Sequence, residues 1–147
     1  MLRVDDRQLP EYFAWLSDRL GETFVHGPDC KCLANVRPDG SIAAVAVYLH
    51  LRQHSCELNL ASDGSRRWLT RGFLYWLAAV PFVQWDMQRV TAIARLSNGR
   101  SIRLLRHAGF VGEGVLRRAY GDEDGLVMGL LRGECRFLKL GERNVIR

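Results

Sequence analysis

The spacing of apolar residues in the first half of the chain predicts one helix followed by three strands. Between Leu9 and Leu20 the apolar residues recur at helical spacing, with Pro10 at a first helical position and Gly21 after the last turn. A loop is expected from Thr23 to Lys31. The apolar runs that predict strands are Leu33–Val36, Ser41–Leu51 and Ser55–Ala61, with a turn signal at Arg37–Gly40.

The second half of the chain predicts two more helices and three more strands. The first helix runs from Arg66 to Ala79, and Pro81 then breaks or kinks it. The later elements are a strand at Val90–Ala94, an amphipathic helix from Asn98 to Gly109, strands near Val111–Tyr120 and Leu126–Leu131, and a hairpin loop at Gly121–Gly125. The buried side of the amphipathic helix is expected to carry Ile102, Leu104, Leu105 and Ala108.

Size and charge narrow the class of protein. The chain has 147 residues, the usual size of one domain. No apolar run is long enough to span a bilayer, and the N-terminal segment lacks the apolar core of a signal peptide, so a cytoplasmic protein without membrane contact is expected. The net charge of +5 comes almost entirely from Arg. An anionic partner, such as nucleic acid, fits this charge, and so does a solvated basic surface.

The four cysteines do not follow the spacing of a metal site. His26, Cys30 and Cys32 lie close together, but they do not match a structural zinc pair, and no second pair follows. We therefore predict no metal and a turn that carries two free thiols.

A series of residues at fixed spacing in the last third of the chain is more specific than any short motif. The series consists of Asn98, Ser101, Leu104–Leu105, Gly109–Phe110, Glu113–Gly114 and Leu116–Arg117, and it follows a predicted strand. It resembles the C-terminal half of the GNAT superfamily of N-acetyltransferases, and is most similar to the branch that includes the ribosomal-protein alanine acetyltransferases.

The resemblance implies a fold and an activity. The fold would be a single α+β domain over residues 1–147, with a mixed, mostly antiparallel central sheet flanked by helices. By its composition, the segment from Arg136 to Arg147 is expected to be a loosely held polar tail. The activity would be transfer of an acetyl group from acetyl-coenzyme A to a primary amine, with a protein N-terminus or a Lys in a protein or peptide as the expected acceptor. Both a monomer and a homodimer are compatible with it.

The resemblance also implies where the cofactor binds. In this superfamily a loop that opens a helix holds the diphosphate, and helix N-termini favour anions in general. Here that loop falls on Arg66–Arg71, where Arg66 and Trp68 stand in place of glycines. Alternatively, the segment is a basic helix start with Trp68 and Leu69 turned into the core. The complete set of expected cofactor contacts is Leu58, Asn59, Leu60, Arg66, Arg67, Trp68, Leu69, Thr70, Arg71, Asn98 and Ser101.

The catalytic groups implied by the resemblance are incomplete. Glu57 is the candidate general base, or else a solvent-facing strand residue paired with an Arg. Asn98 is an N-cap by pattern and a contact for the pantetheine arm by resemblance. Leu105 stands where many relatives have a Tyr that acts as general acid. The substitutes that the sequence offers for this acid are Tyr120, Tyr48 and Cys56, and His50 and His54 are further candidate bases.

The sequence is also compatible with other roles. Asp122, Glu123 and Asp124 form an acidic hairpin tip that either attracts a cationic acceptor or is simply solvated. The altered loop and the missing Tyr also suit a catalytically weak binding protein that keeps the fold to act on a host protein or nucleic acid. The Arg excess suits a nucleic-acid binder, although no nucleic-acid motif is present.

Overall fold

A seven-stranded sheet lies at the centre of the computed structural model, which describes residues 1–65 and 67–140. Arg66 and residues 141–147, which include most of the expected polar tail, lie outside the described residues. The strands are β1 (Arg3–Asp5), β2 (Cys30–Val36), β3 (Ile42–Leu49), β4 (Ser55–Ser62), β5 (Arg89–Arg95), β6 (Val111–Leu116) and β7 (Gly125–Leu131). Their order is β1-β2-β3-β4-β5-β7-β6, and all neighbours are antiparallel except the parallel pair β4 and β5.

The helices lie on both faces of this sheet, as predicted. They are α1 (Pro10–Leu20), α2 (Arg71–Ala79), α3 (Gly99–Ala108) and the single turn α4 (Leu138–Leu140). The predicted succession of a helix, three strands, a helix, a strand, a helix and two strands is confirmed. The strand β1 was not predicted, because its three residues are too few to show an alternating pattern.

The helix α1 covers one face of the sheet. Tyr12, Phe13 and Leu16 are buried there together with Val45 and Val47 of β3. The helix ends at Gly21, whose φ of 70° is left-handed and whose N–H donates to the Ser17 carbonyl. Glycine adopts this conformation without strain, which explains why the predicted end of the helix is correct.

The helices α2 and α3 cover the opposite face and form the larger core. Tyr48 of β3, Phe73 of α2 and Met128 of β7 are completely buried in it. The Tyr48 hydroxyl donates to the carbonyl of Leu77, which fixes α2 on the strand beneath it. Both faces of the central strands are therefore buried, and this explains the nearly continuous apolar run of β3.

The helix α2 begins five residues later than predicted, at Arg71. Thr70 is its N-cap, because the Thr70 Oγ1 accepts the N–H of Phe73 at 3.2 Å. Arg67 to Thr70 form a loop in front of it. At the other end Pro81 lies in a π-helical turn, Val80–Gln84, in which the Trp85 N–H bonds to the Val80 carbonyl. The predicted kink at Pro81 is thus a widened turn of the same helix.

Two other expectations differ from the structure. Cys30 and Cys32 are buried in β2 and do not lie on a turn, and all four cysteines are free thiols. The segment after Glu134 is not loosely held over its described part: Phe137 and Leu138 pack on the larger core, and the Arg136 N–H bonds to the Ala108 carbonyl. No helix in the described ranges is long and apolar enough to cross a bilayer.

Candidate functional site

An open cleft separates the C-terminal halves of β4 and β5. The two strands pair only through Ser55–Arg89, Cys56–Val90 and Glu57–Thr91. Beyond those pairs β4 stays bonded to β3 and β5 stays bonded to β7, so each strand is supported on its other side only. The resulting cleft has a volume of about 380 Å³. Its lining is Leu20, Gly21, Glu22, Leu58, Asn59, Leu60, Ala92, Ile93, Ala94, Arg95, Asn98, Ser101, Leu104, Leu105 and Tyr120.

The hydrogen-bond pattern shows which backbone groups of β4 face this cleft. The Asp63 N–H donates to the Ala43 carbonyl, so odd-numbered residues of β4 direct their backbone groups toward β3. Even-numbered residues therefore direct theirs toward β5, as the bond from the Arg89 N–H to the His54 carbonyl also shows. Leu60 lies beyond the last strand pair, so its N–H and C=O point into the cleft without a partner in the β4–β5 ladder.

The same argument applies to β5 on the other side. The Leu96 N–H donates to the Asp124 carbonyl, so even-numbered residues bond toward β7 and odd-numbered residues face β4. The Ile93 carbonyl therefore points into the cleft. The Tyr120 hydroxyl donates to this carbonyl at 3.2 Å, which brings a side-chain hydroxyl from the β6–β7 hairpin to the strand edge.

Charged groups surround Tyr120. The Arg95 guanidinium lies over its ring, 4.4 Å from the centroid, and also contacts Glu123 at 3.5 Å and Asp122 at 3.7 Å. Two of the three acidic hairpin residues are thus engaged by Arg95. Partial burial raises the pKa of the Tyr120 hydroxyl, while the Arg95 charge opposes that rise and Glu22 adds to it.

The start of α3 forms another wall of the cleft. The Asn98 Oδ1 accepts the N–H of Ser101 at 3.1 Å, so the predicted N-cap is confirmed. Of the four apolar α3 residues expected to be buried, only Ala108 is buried. Leu104 and Leu105 line the cleft and are half-buried for that reason.

An apolar cavity of about 50 Å³ joins the cleft to the start of α2. Both spaces are lined by Leu58, Leu60, Leu104 and Leu105. Leu69 lines the cavity but not the cleft. Trp68 packs edge-on against Phe73, with ring centroids 6.5 Å apart. The side chains of Trp68 and Leu69 therefore turn toward the core, as the alternative interpretation of this segment expected, while Arg67 is exposed.

A buried asparagine fastens this segment to the sheet. Asn35 of β2 is fully buried, and its Nδ2 donates to the Trp68 carbonyl at 2.7 Å and to the Thr70 Oγ1 at 3.4 Å. Asn35 was not singled out from the sequence. The available signal was a polar residue inside the predicted strand Leu33–Val36, whose other residues are apolar.

The candidate proton-transfer groups are not all brought together. Glu57 is not in the cleft lining; it is 40% exposed and its carboxylate lies 3.8 Å from the His50 ring. Its role as base stays a prediction, and Glu22, which sequence reasoning missed, is the carboxylate in the lining. Tyr48 and Cys56 are buried outside the lining, and burial raises the pKa of the Cys56 thiol to about 12. Of the three residues suggested as a general acid in place of Leu105, Tyr120 is therefore the one that lines the cleft.

Solved structures of other proteins share this fold. Neither a family model nor a curated protein sequence matches the chain. A chimera of the Vibrio cholerae spermidine N-acetyltransferase SpeG with hSSAT superposes with a TM-score of 0.75, at 12% identity over 93% of this chain and 98% of that one. The Vibrio cholerae spermidine N-acetyltransferase in complex with CoA and spermine gives 0.70, at 11% identity over 90% and 96%. The chain thus has the GNAT fold, as the sequence resemblance predicted.

The comparison corrects one expectation and leaves another unconfirmed. The expected protein or peptide acceptor is wrong on this comparison, since these neighbours are described as acetyltransferases of the small polyamines spermidine and spermine. The similarity to the ribosomal-protein alanine acetyltransferase branch is not confirmed by them.

Proposed function

We propose that the chain is an acyltransferase that moves acetyl from acetyl-coenzyme A to a primary amine of a small polyamine such as spermidine. The observation that carries this proposal is the cleft between β4 and β5, which exposes strand backbone groups at the centre of the sheet. A solved neighbour with the same fold is described as a complex with CoA and spermine.

The residues around the cleft suit such a cofactor. Acetyl-coenzyme A supplies a thioester, an amide-containing arm and a diphosphate. The Leu60 N–H faces the cleft and can polarise an acyl carbonyl, and the backbone of Leu58 to Leu60 forms one wall for an extended arm. Asn98 and Ser101 form the opposite wall.

The start of α2 suits the diphosphate. The dipole at a helix N-terminus favours an anion, and the Arg67 side chain is exposed next to the start of α2. Arg67→Ala and Arg71→Ala are each expected to weaken coenzyme A binding by roughly 1.5–3 kcal/mol, the usual effect of losing a charge-assisted hydrogen bond.

Two side chains in the lining suit the acceptor and the leaving group. Glu22 places a carboxylate where a cationic amine can be held. Tyr120 gives its hydroxyl proton to the sulfur as the C–S bond breaks. The proton that the amine loses as the C–N bond forms passes to water, directly or through a carboxylate, and Tyr120 is reprotonated from water.

The test is a transfer assay with acetyl-coenzyme A and a panel of spermidine, spermine, putrescine and a lysine-containing peptide. We expect thiol release and an acetylated polyamine by mass spectrometry, with little transfer to the peptide. Binding of coenzyme A without transfer to any amine would instead support the catalytically weak binding protein. Failure to bind coenzyme A at millimolar concentration would rule out the proposed function.

A further inference from the structure

Packing alone does not explain why a polar side chain, that of Asn35, is fully buried in the interior. Tyrosines and cysteines aside, Asp5 and Asn35 are the two buried polar side chains in the described part of the chain. Asp5 is held by Arg7 and Tyr12, but the Asn35 Oδ1 has no hydrogen-bond partner. An apolar residue of the same size would avoid this cost, and the other residues of the segment Leu33–Val36 are apolar.

The hydrogen bonds of Asn35 determine the orientation of one peptide group. Its Nδ2 draws the Trp68 carbonyl inward, toward β2. In a trans peptide the C=O and the following N–H point in opposite directions, so the Leu69 N–H points away from the sheet. Among the described residues this N–H has no hydrogen-bond acceptor. A reversed Asn35 amide would set two oxygens against each other, so the orientation of the side chain is fixed.

The same side chain determines what the Thr70 hydroxyl can do. Its Oγ1 accepts from the Phe73 N–H at 3.2 Å and from the Asn35 Nδ2 at 3.4 Å. A hydroxyl has two acceptor positions and one donor, so both acceptor positions are used and its hydrogen remains to be donated. There is open space beside Gly72 in the first turn of α2, since a Cβ added there would meet nothing within 4 Å.

We propose that Asn35 is a positioning residue for the diphosphate of the cofactor: it holds the Trp68–Thr70 segment so that the Leu69 N–H and the Thr70 hydroxyl face the anion. Glycines give such a loop its shape through their conformational freedom. Here a side chain from a distant strand imposes that shape on a loop without glycine. The inference rests on the proposed function, because it assumes that the anion is the diphosphate of coenzyme A.

The test compares Asn35→Leu with the wild-type chain in acetyl transfer to spermidine. Two donors are used, acetyl-coenzyme A and S-acetylpantetheine, which lacks the diphosphate. We expect the KM for acetyl-coenzyme A to rise about 10-fold or more, as for loss of hydrogen bonds to a charged group, with kcat retained. With S-acetylpantetheine the kcat/KM should not change. The variant removes an unpaired buried oxygen but also the donor to the Trp68 carbonyl, so the thermal midpoint is expected to change little.

Gln8→Leu is the matched control, because the Gln8 amide also bonds to β2, at the N–H and carbonyl of Cys32, and not to the Trp68–Thr70 segment. It should lower stability and leave the KM for acetyl-coenzyme A unchanged. Should Asn35→Leu not fold, Thr70→Val and Thr70→Ser take its place: the Val variant should weaken coenzyme A binding and the Ser variant should preserve it.

Two results would overturn the inference while leaving the proposed function intact. One is an unchanged KM for acetyl-coenzyme A in Asn35→Leu, or equal affinities in the two Thr70 variants. The other is an equal loss with both acetyl donors, which would indicate a general structural role. Absence of coenzyme A binding in the wild-type chain would overturn both proposals together.

Discussion

The Arg95 guanidinium lies over the Tyr120 ring, 4.4 Å from its centroid, and both residues line the cleft. Through this contact the β6–β7 hairpin reaches the edge of the cleft. The stack places the Tyr120 hydroxyl on the Ile93 carbonyl, beyond the last β4–β5 pair. A hairpin residue thereby brings a hydroxyl to the cleft in which the proposed transfer would need a proton for the leaving thiolate. Leu105, on the facing helix, has no proton to give.

Tyr120→Phe should lower kcat by about 10²-fold while leaving coenzyme A affinity unchanged, because only proton transfer is removed. Thioesters with acidic thiols should lose less, since a stable thiolate needs no proton to leave. Tyr75→Phe is the control, as Tyr75 packs on Trp76 and does not line the cleft. Equal losses with all thioesters would count against the acid role. Because burial raises the Tyr120 pKa above its ordinary 10, wild-type activity should persist through pH 9.

Glu22→Gln should raise the KM for spermidine about tenfold with a smaller change in kcat, because it removes a charge that faces a cationic acceptor. Steady-state kinetics with spermidine and with a monoamine measure this, and the monoamine should be less affected. An unchanged KM for both amines would show that Glu22 does not contact the acceptor.

Glu57→Gln tests the base that the sequence resemblance implies. A loss in rate of about 10²-fold is expected if Glu57 takes the proton of the amine. An unchanged rate would leave it a strand carboxylate beside His50, consistent with its position outside the cleft lining.

Asp5→Asn should destabilise the fold by about 2 kcal/mol at neutral pH, because the Asp5 carboxylate accepts bonds from Arg7 and from the Tyr12 hydroxyl. The Arg7 bond holds the pKa of Asp5 well below its usual range. A depressed folded pKa contributes stability above the unfolded value near 3.9, and this stability is lost as pH falls below it. Urea titrations at pH 7 and pH 2.5 should therefore show a smaller difference between variant and wild type at the lower pH.

The native cysteines should resist alkylation. Burial raises the pKa of the Cys32 and Cys56 thiols to about 12, so little thiolate exists at pH 8. Mass spectrometry after brief iodoacetamide treatment should show these two thiols unmodified in the native chain and modified in denaturant. Rapid native modification of Cys56 would mean that β4 opens locally.

The elements that were predicted well are those with strong local signals. Asn98 caps α3 because its side chain bonds within one turn, and Gly109 ends the helix with a φ of 115° that favours glycine. The start of α2 was predicted too early, at Arg66. The residues in front of Thr70 carry no signal against a helix, so the sequence did not show that Thr70 is the N-cap. The predicted contacts Leu58, Asn59, Leu60, Asn98 and Ser101 do meet at one cleft.

The remaining features of the site depend on contacts between distant parts of the chain. Asn35 meets Trp68 across 33 positions, and Tyr120 meets Ile93 across 27. Neither pair has a local pattern. The exposure of Glu57 depends on strand register, because neighbouring residues on a strand face opposite sides.

The three-pair contact between β4 and β5 has a mechanical consequence. The sheet consists of a four-stranded part, β1 to β4, and a three-stranded part, β5 to β7, joined in the sheet by those pairs alone. A ligand whose extended arm bonds to both strand edges would act as a clasp between the two parts. Binding would then slow hydrogen exchange at the backbone amides of Leu60 and Ile93, which lie beyond the last pair between β4 and β5. It would also raise the thermal midpoint as the ligand concentration increases.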